Sequence, residues 1–76
     1  MKTSEFLVEL EDILQREESC TVADTLEDYE EWDSLSKMAV MAYYKKNFGV
    51  EVTLNSLGQM KTVEDLVKLA GDKISD

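Results

Sequence analysis

The chain has 76 residues, of which 43 % are hydrophobic, and a formal net charge of −9 at pH 7. This length allows one small domain over residues 1–76, near the size at which a single core just suffices, and it excludes a second domain. No apolar run approaches the roughly 20 residues that a bilayer-spanning helix needs. Because acidic, amphipathic sequence follows Met1-Lys2, we expect a soluble, cytoplasmic protein without a signal peptide.

The residues that most enzymes use for catalysis are scarce in this chain. Cys20 is the only cysteine, and there is no histidine. This composition excludes internal disulfides, Cys/His zinc sites and histidine-activated nucleophiles. No Gly-rich phosphate loop or paired base and nucleophile can be identified either, so we do not expect an enzyme. Cys20 is interpreted as a small side chain at the start of a loop.

Acidic residues are concentrated in the first half of the chain. Residues 1–33 hold twelve acids against Lys2 and Arg16, whereas residues 34–76 hold five acids and six lysines. Nucleic acid is not an expected partner, because phosphate binding requires a basic patch. The acidic half fits either a basic protein partner that approaches helix 1 and its loop, or simple solubility.

A first helix is predicted over about residues 4–17, with Thr3 or Ser4 as its cap. Its apolar residues recur at three- and four-residue steps: Phe6, Leu7, Leu10, Ile13 and Leu14. The acids between them are expected to form the solvated face of the helix.

From Glu18 to Asp33 the helical periodicity fails, which predicts a long loop. Four apolar residues are expected to anchor it to the bundle: Val22, Leu26, Tyr29 and Trp32. The acids of this loop lack the ordered spacing and central glycine of a calcium-binding loop. We therefore expect no metal site.

The segment from Glu31 to Leu35 opens the longest apolar-periodic stretch of the chain. Asp33 is a good N-cap, so Ser34 is expected in the first turn of helix 2, which is predicted over about residues 34–47. Gly49 is well placed to end this helix in a left-handed conformation. Free N–H groups and partial positive charge at the helix start would favour a phosphate on Ser34.

Helix 2 carries more apolar residues than one core-facing stripe requires. The predicted core face consists of Val40, Met41, Tyr44 and Phe48. A second apolar strip starts beside Ser34 and consists of Leu35, Ala39 and Ala42. That strip either packs against the loop or helix 3, or stays exposed as a docking surface. Met38 and Met41 are interpreted as core-filling residues.

The last third of the chain predicts two further helices. Val50 to Val52 is interpreted as an extended connector, and a short third helix is predicted over about Leu54–Gln59. Thr62 is the predicted cap of a fourth helix that runs to about Lys73. The predicted fold is therefore all-α: a small four-helix bundle with a long loop between helices 1 and 2 and a short helix 3.

The tripeptide Asp33-Ser34-Leu35, followed by a helix and then by Phe48-Gly49-Val50, resembles the acyl carrier and peptidyl carrier family. With Trp32 in front of it, the tripeptide is similar to that of small free-standing carriers. The resemblance covers the whole chain and implies a bundle of acyl-carrier type. It also implies that Ser34 carries a 4′-phosphopantetheine arm from coenzyme A, and that Asp33 helps to position Mg²⁺ and the coenzyme A phosphates.

The resemblance implies partners as well. These are a phosphopantetheinyl transferase and enzymes that load and transfer acyl or aminoacyl thioesters, and the carrier is expected to be a monomer. The residues expected to contact partners are Leu35, Ala39, Ala42, Lys45 and Lys46. Fatty-acid carriers present acids on helix 2, so the lysines favour a specialised biosynthetic pathway.

The alternative is an unmodified acidic helical module that binds a partner helix. In that module Ser34 would be only a hydroxyl at a helix start.

Overall fold

The structure is a computed structural model, and it describes residues 1–75. This part of the chain contains four α-helices: α1 Thr3–Leu14, α2 Ser34–Phe48, α3 Leu54–Gly58 and α4 Val63–Leu69. The predicted all-α class is confirmed. Two 3₁₀ turns lie outside these helices, at Leu26–Asp28 and Gly71–Lys73.

Helix α1 is shorter than predicted at its C-terminal end. It stops at Leu14 because Gln15 adopts a left-handed conformation with φ of 55°. The N–H groups of Gln15 and Arg16 then close onto the carbonyl oxygens of Asp12 and Glu11. The predicted cap was wrong too, since Lys2 is the N-cap and its N–H donates to the Glu5 carboxylate at 2.9 Å.

Helix α2 begins at Ser34 as predicted and ends at Phe48, one residue later than predicted. The Asp33 carboxylate accepts a hydrogen bond from the Ser36 N–H at 2.9 Å. At the other end Gly49 has φ of 67°, and its N–H donates to the Lys45 carbonyl. A glycine suits this position because a side chain would be strained there. Both predicted caps are confirmed.

The core lies between the buried faces of the four helices, and Tyr44 of α2 fills its centre. Tyr44 is fully buried, packs edge-on against Phe6 and Phe48, and donates its hydroxyl proton to the Leu66 carbonyl. The other fully buried side chains are Phe6, Leu10, Leu26, Val40, Leu57, Val63 and Leu66. On the predicted core face of α2, Val40 and Tyr44 are buried, while Met41 and Phe48 pack against the core and are half-buried.

The segment between α1 and α2 is longer than predicted, since it begins at Gln15, and it is more firmly attached. Cys20, Leu26 and Tyr29 are buried. Backbone hydrogen bonds join the loop to the segment 61–64 at the start of α4: Leu26 N–H to Lys61, Val63 N–H to Asp24 and Glu64 N–H to Val22. The loop is therefore a packed part of the domain.

Helices α3 and α4 also end earlier than predicted. Helix α4 starts after the predicted cap Thr62, where Asp65 accepts bonds from the N–H groups of Lys61 and Thr62. It stops at Leu69 because Gly71 adopts φ of 64° and a 3₁₀ turn follows. The connector before α3 buries Val52 and half-buries Val50.

Candidate functional site

Ser34 is the first residue of α2, and its side chain is exposed. The neighbouring Asp33 carboxylate accepts a hydrogen bond from the Ser36 N–H. This hydrogen bond holds the pKa of Asp33 below its usual range, so the carboxylate is ionised at neutral pH. The geometry thus presents a hydroxyl at the positive end of a helix, beside a fixed negative charge.

An open groove adjoins Ser34, between the end of α1 and the start of α2. Its lining combines apolar and acidic residues: Ile13, Leu14, Gln15, Glu31, Asp33, Leu35, Ser36, Met38 and Ala39. Two acids line the groove, and each carboxylate already accepts a hydrogen bond, Glu31 from Arg16 and Asp33 from the Ser36 N–H. The groove offers apolar contact on one side and carboxylates on the other.

The second apolar strip of α2 is exposed. Leu35 is 76 % exposed, and Ala39 and Ala42 are exposed as well. Met38 joins them at 54 % exposure, so its interpretation as a core-filling residue was wrong. We call Leu35, Met38, Ala39 and Ala42 the α2 strip. It runs away from Ser34 along one helix face.

Lys45 and Lys46 lie in the last turn of α2, beyond the α2 strip, and both are exposed. The Nζ atom of Lys45 lies 3.6 Å from a carboxylate oxygen of Glu51 on the following connector. This pair is open to solvent on both sides, so it contributes little to stability. The lysines therefore remain available to a partner.

Lys37 differs from the other two lysines of this helix. It is half-buried, and its Nζ lies 5.6 Å from the ring centroid of Trp32. This cation–π contact places the lysine stem over the indole ring just before Ser34.

A polar cluster before Ser34 was not identified from the sequence. The guanidinium carbon of Arg16 lies 3.8 Å from the ring centroid of Tyr29. Its Nη1 donates to Glu31 at 2.9 Å and its Nη2 to Glu18 at 3.3 Å. One feature of the sequence could have indicated this cluster: Arg16 and Lys2 are the only Lys or Arg residues among the twelve acids of residues 1–33.

Tyr29 connects this cluster to the loop. Its hydroxyl donates to the Asp24 carboxylate, which also accepts from the Thr21 N–H and hydroxyl. The bond from Tyr29 is the main reason why the pKa of Asp24 lies below its usual range. Burial raises the pKa of Tyr29, so its phenol remains a donor.

Cys20 lies inside the domain. It is buried, and burial raises the pKa of its thiol. Its N–H donates to the Glu11 carboxylate at 3.0 Å, which fixes the loop to α1. A buried, protonated thiol is a poor nucleophile, so Cys20 has a packing role.

Searches of family models, curated proteins and solved structures give no match to this chain. Among residues 1–75, no helix is both long and apolar enough to cross a membrane. In the same part of the chain, no group of three or more His, Cys, Asp or Glu side chains is arranged to bind a metal ion.

Proposed function

We propose that this protein is an acyl or peptidyl carrier whose 4′-phosphopantetheine arm is attached to Ser34. The observation that carries the proposal is the position of Ser34: an exposed hydroxyl at the first residue of α2, capped by Asp33 and followed by the α2 strip. The residues fit the arm, since the hydroxyl is open to solvent and beside a groove. The order of a long helix, a long loop, a helix, a short helix and a final helix supports a bundle of acyl-carrier type.

Ser34 supplies the atom that is modified. Its oxygen would form a phosphoester bond to the phosphorus that bears the pantetheine. The P–O bond to the rest of the coenzyme A diphosphate would break, so that adenosine 3′,5′-bisphosphate leaves, and the hydroxyl proton would pass to a base of the transferase. The N-terminus of α2 then stabilises the bound phosphate. The ionised carboxylate of Asp33 would suit a Mg²⁺ ion that enters with the coenzyme A phosphates, whereas the Glu31 carboxylate already binds Arg16.

The arm supplies a terminal thiol that holds the acyl or aminoacyl cargo as a thioester. The chain itself acts as the tether and the recognition surface, and it performs no catalysis. Leu35 follows Ser34 directly, so an enzyme that receives the arm must approach the α2 strip. Leu35 and Ala39 then provide apolar contact, while Lys45 and Lys46 select partners with an acidic surface. A cytoplasmic, monomeric carrier of a specialised biosynthetic pathway is the corresponding proposal.

One observation favours a second candidate function. Leu35 and Met38 are large apolar side chains that lie exposed on the same helix, as in surfaces that bind a partner helix. An unmodified interaction module would use this strip without any chemistry at Ser34. The two functions differ in whether Ser34 accepts the arm.

Mass spectrometry of the intact protein tests the proposal. We expect incubation with coenzyme A, Mg²⁺ and a promiscuous phosphopantetheinyl transferase to add one arm to the wild type and none to Ser34→Ala. Ser36→Ala is the matched control, since it changes the neighbouring serine of the same helix turn and should be modified like the wild type. An arm on another serine would overturn the assignment to Ser34, and no arm on the wild type would rule out the carrier and leave the interaction module.

A further inference from the structure

We propose that Arg16 is a positioning residue that holds the segment 29–33 against the end of α1 and thereby fixes the orientation of Ser34. The consequence for arm transfer rests on the carrier function proposed above. The positioning itself is a property of the fold and can be measured separately.

The backbone of Arg16 is anchored by α1. Its N–H donates to the Glu11 carbonyl at 2.9 Å, just after the left-handed turn at Gln15. From this point the side chain crosses to the loop, where its guanidinium lies on the face of Tyr29. The Arg16 side chain is only 14 % exposed. Its backbone is held by α1 and its guanidinium by the loop.

Two short routes of contacts lead from the guanidinium to the two residues before Ser34. In the first, Nη1 of Arg16 binds the Glu31 carboxylate, and the Glu31 carbonyl accepts the Asp33 N–H at 3.0 Å. In the second, the guanidinium stacks on Tyr29, whose carbonyl accepts the Trp32 N–H at 3.1 Å. The first route reaches Asp33, which caps α2 through Ser36, and the second reaches Trp32, the residue before Asp33.

The rest of the loop is held elsewhere. The backbone bonds to the start of α4 involve Val22, Asp24 and Leu26, all of which precede Tyr29. Among residues 1–75, the hydrogen bonds of residues 30–33 run to one another, to Tyr29 or into α2, apart from the bond between Glu31 and Arg16. Loss of Arg16 would therefore leave this segment held by its bonds to Tyr29 and α2 and by the packing of Trp32 against the core.

An arginine suits this role better than a lysine. Its planar guanidinium stacks on a ring and donates in two directions at once, here to Glu31 and Glu18. A lysine would keep the charge but lose the stacked, forked geometry.

The expected kinetic effect is on KM. If a transferase binds only the conformer with Ser34 correctly placed, a smaller population of that conformer raises the apparent dissociation constant. The bound complex itself is unchanged. We expect Arg16→Gln to raise the KM for the carrier about tenfold with kcat nearly unchanged. Arg16→Lys should also raise it, by a smaller factor.

The control is Lys68→Gln, which removes the same charge and breaks the exposed pair of Lys68 with Glu64 on α4. It should keep the KM of the wild type. Glu31→Gln should raise KM in the same direction as Arg16→Gln, and the double variant should be no worse than Arg16→Gln alone, because both changes act on one contact. A wild-type KM for Arg16→Lys or Arg16→Gln would overturn the proposal.

Amide hydrogen exchange measures the positioning without any transferase. The amides of Asp33 and Ser36 should exchange faster in Arg16→Gln and Arg16→Lys, while the amide of Leu10 inside α1 keeps its rate. Equal rates at all three amides would overturn the proposal, even if the variants unfold at lower temperature. If the wild type accepts no arm, the carrier function fails, and the exchange rates still decide the positioning role of Arg16.

Discussion

Tyr44 shows how much a single residue contributes to this small domain. It is fully buried on α2, its ring packs against Phe6 of α1, and its hydroxyl donates to Leu66 of α4. Burial raises the pKa of its phenol, which keeps the hydroxyl protonated as a donor. One side chain therefore joins three helices by packing and by a hydrogen bond.

We expect Tyr44→Phe to lower the free energy of unfolding by about 1 kcal/mol, because the ring packing is kept and the Leu66 carbonyl loses a buried donor. Urea unfolding followed by circular dichroism measures this change. Tyr43→Phe is the matched control, since the Tyr43 hydroxyl reaches only the Met1 sulfur at 3.8 Å. Its effect should stay within about 0.5 kcal/mol. Equal effects of the two changes would contradict the assigned role of the hydroxyl.

At the level of the element, α2 has two apolar faces with different tasks. Val40 and Tyr44 are buried and hold the helix to the core. Leu35 and Met38 are largely exposed and lie outside the buried core. A change on the second face should therefore affect binding while the fold stays intact.

We expect Leu35→Asp to change the free energy of unfolding by less than about 0.5 kcal/mol, since the side chain is exposed and an acid suits the first turn of a helix. Arm loading or acyl transfer should fall about tenfold, because a charge replaces a central apolar contact. Circular dichroism and transfer rates measure the two effects. Leu54→Asp is the control, as Leu54 is 42 % exposed in the first turn of α3 and should leave transfer unchanged. Normal transfer by Leu35→Asp would argue against docking on this strip.

The lysines at the end of α2 allow a second test at this scale. Changing Lys45 and Lys46 together to Glu places acids at the negative end of the helix dipole and brings one of them close to Glu51. If the lysines dock partners, binding to the natural partner should weaken, with a clear salt dependence, and enzymes of fatty-acid synthesis should recognise the variant better. Unchanged transfer to both classes of enzyme, with slightly earlier melting, would limit the lysines to a role at the helix end.

At the level of the whole molecule, hydrogen-bonded carboxylates decide the response to acid. Among residues 1–75, three aspartates have pKa values below their usual range. In each case the main cause is a hydrogen bond that the carboxylate accepts. The donor is the Tyr29 hydroxyl for Asp24, the Ser36 N–H for Asp33 and the Lys61 N–H for Asp65. A carboxyl group whose pKa is lower in the folded state stabilises the fold above its unfolded pKa, and this stability disappears as the pH falls through the folded pKa. The sequence alone predicts an opposite effect, the relief of acid–acid repulsion in residues 1–33.

The two effects act in different pH ranges. Stability should hold or rise slightly between pH 7 and about 5, as repulsion among ordinary carboxylates decreases, and it should fall below about pH 4 as the three aspartates gain protons. Urea unfolding at several pH values measures the profile. Asp33→Asn combined with Asp65→Asn keeps an acceptor oxygen at both positions without titration, so the variant should lose less stability below pH 4. A stability that rises steadily down to pH 3 would contradict the role of these bonds.

The sequence alone determined the features that depend on neighbours within one helical turn. Three of these features join residues at most four positions apart. Asp33 accepts the Ser36 N–H, the left-handed Gly49 donates to Lys45, and Thr62 accepts the Asp65 N–H. Such contacts follow from local residue chemistry, so the start of α2 at Ser34, and with it the candidate site, could be predicted. The attachment of an arm to Ser34 stays a prediction.

The tertiary structure alone decided the features that join distant residues. Gln15 ends α1 without the usual glycine, and Met38 is exposed although its side chain suits a core. Arg16 reaches Glu31 fifteen positions further on, and Leu26 bonds to the residue before Thr62. Sequence spacing does not encode these contacts, because they depend on how the loop folds back across the bundle. The choice of which apolar face of α2 is buried follows from the same packing, since both faces are apolar enough for a core.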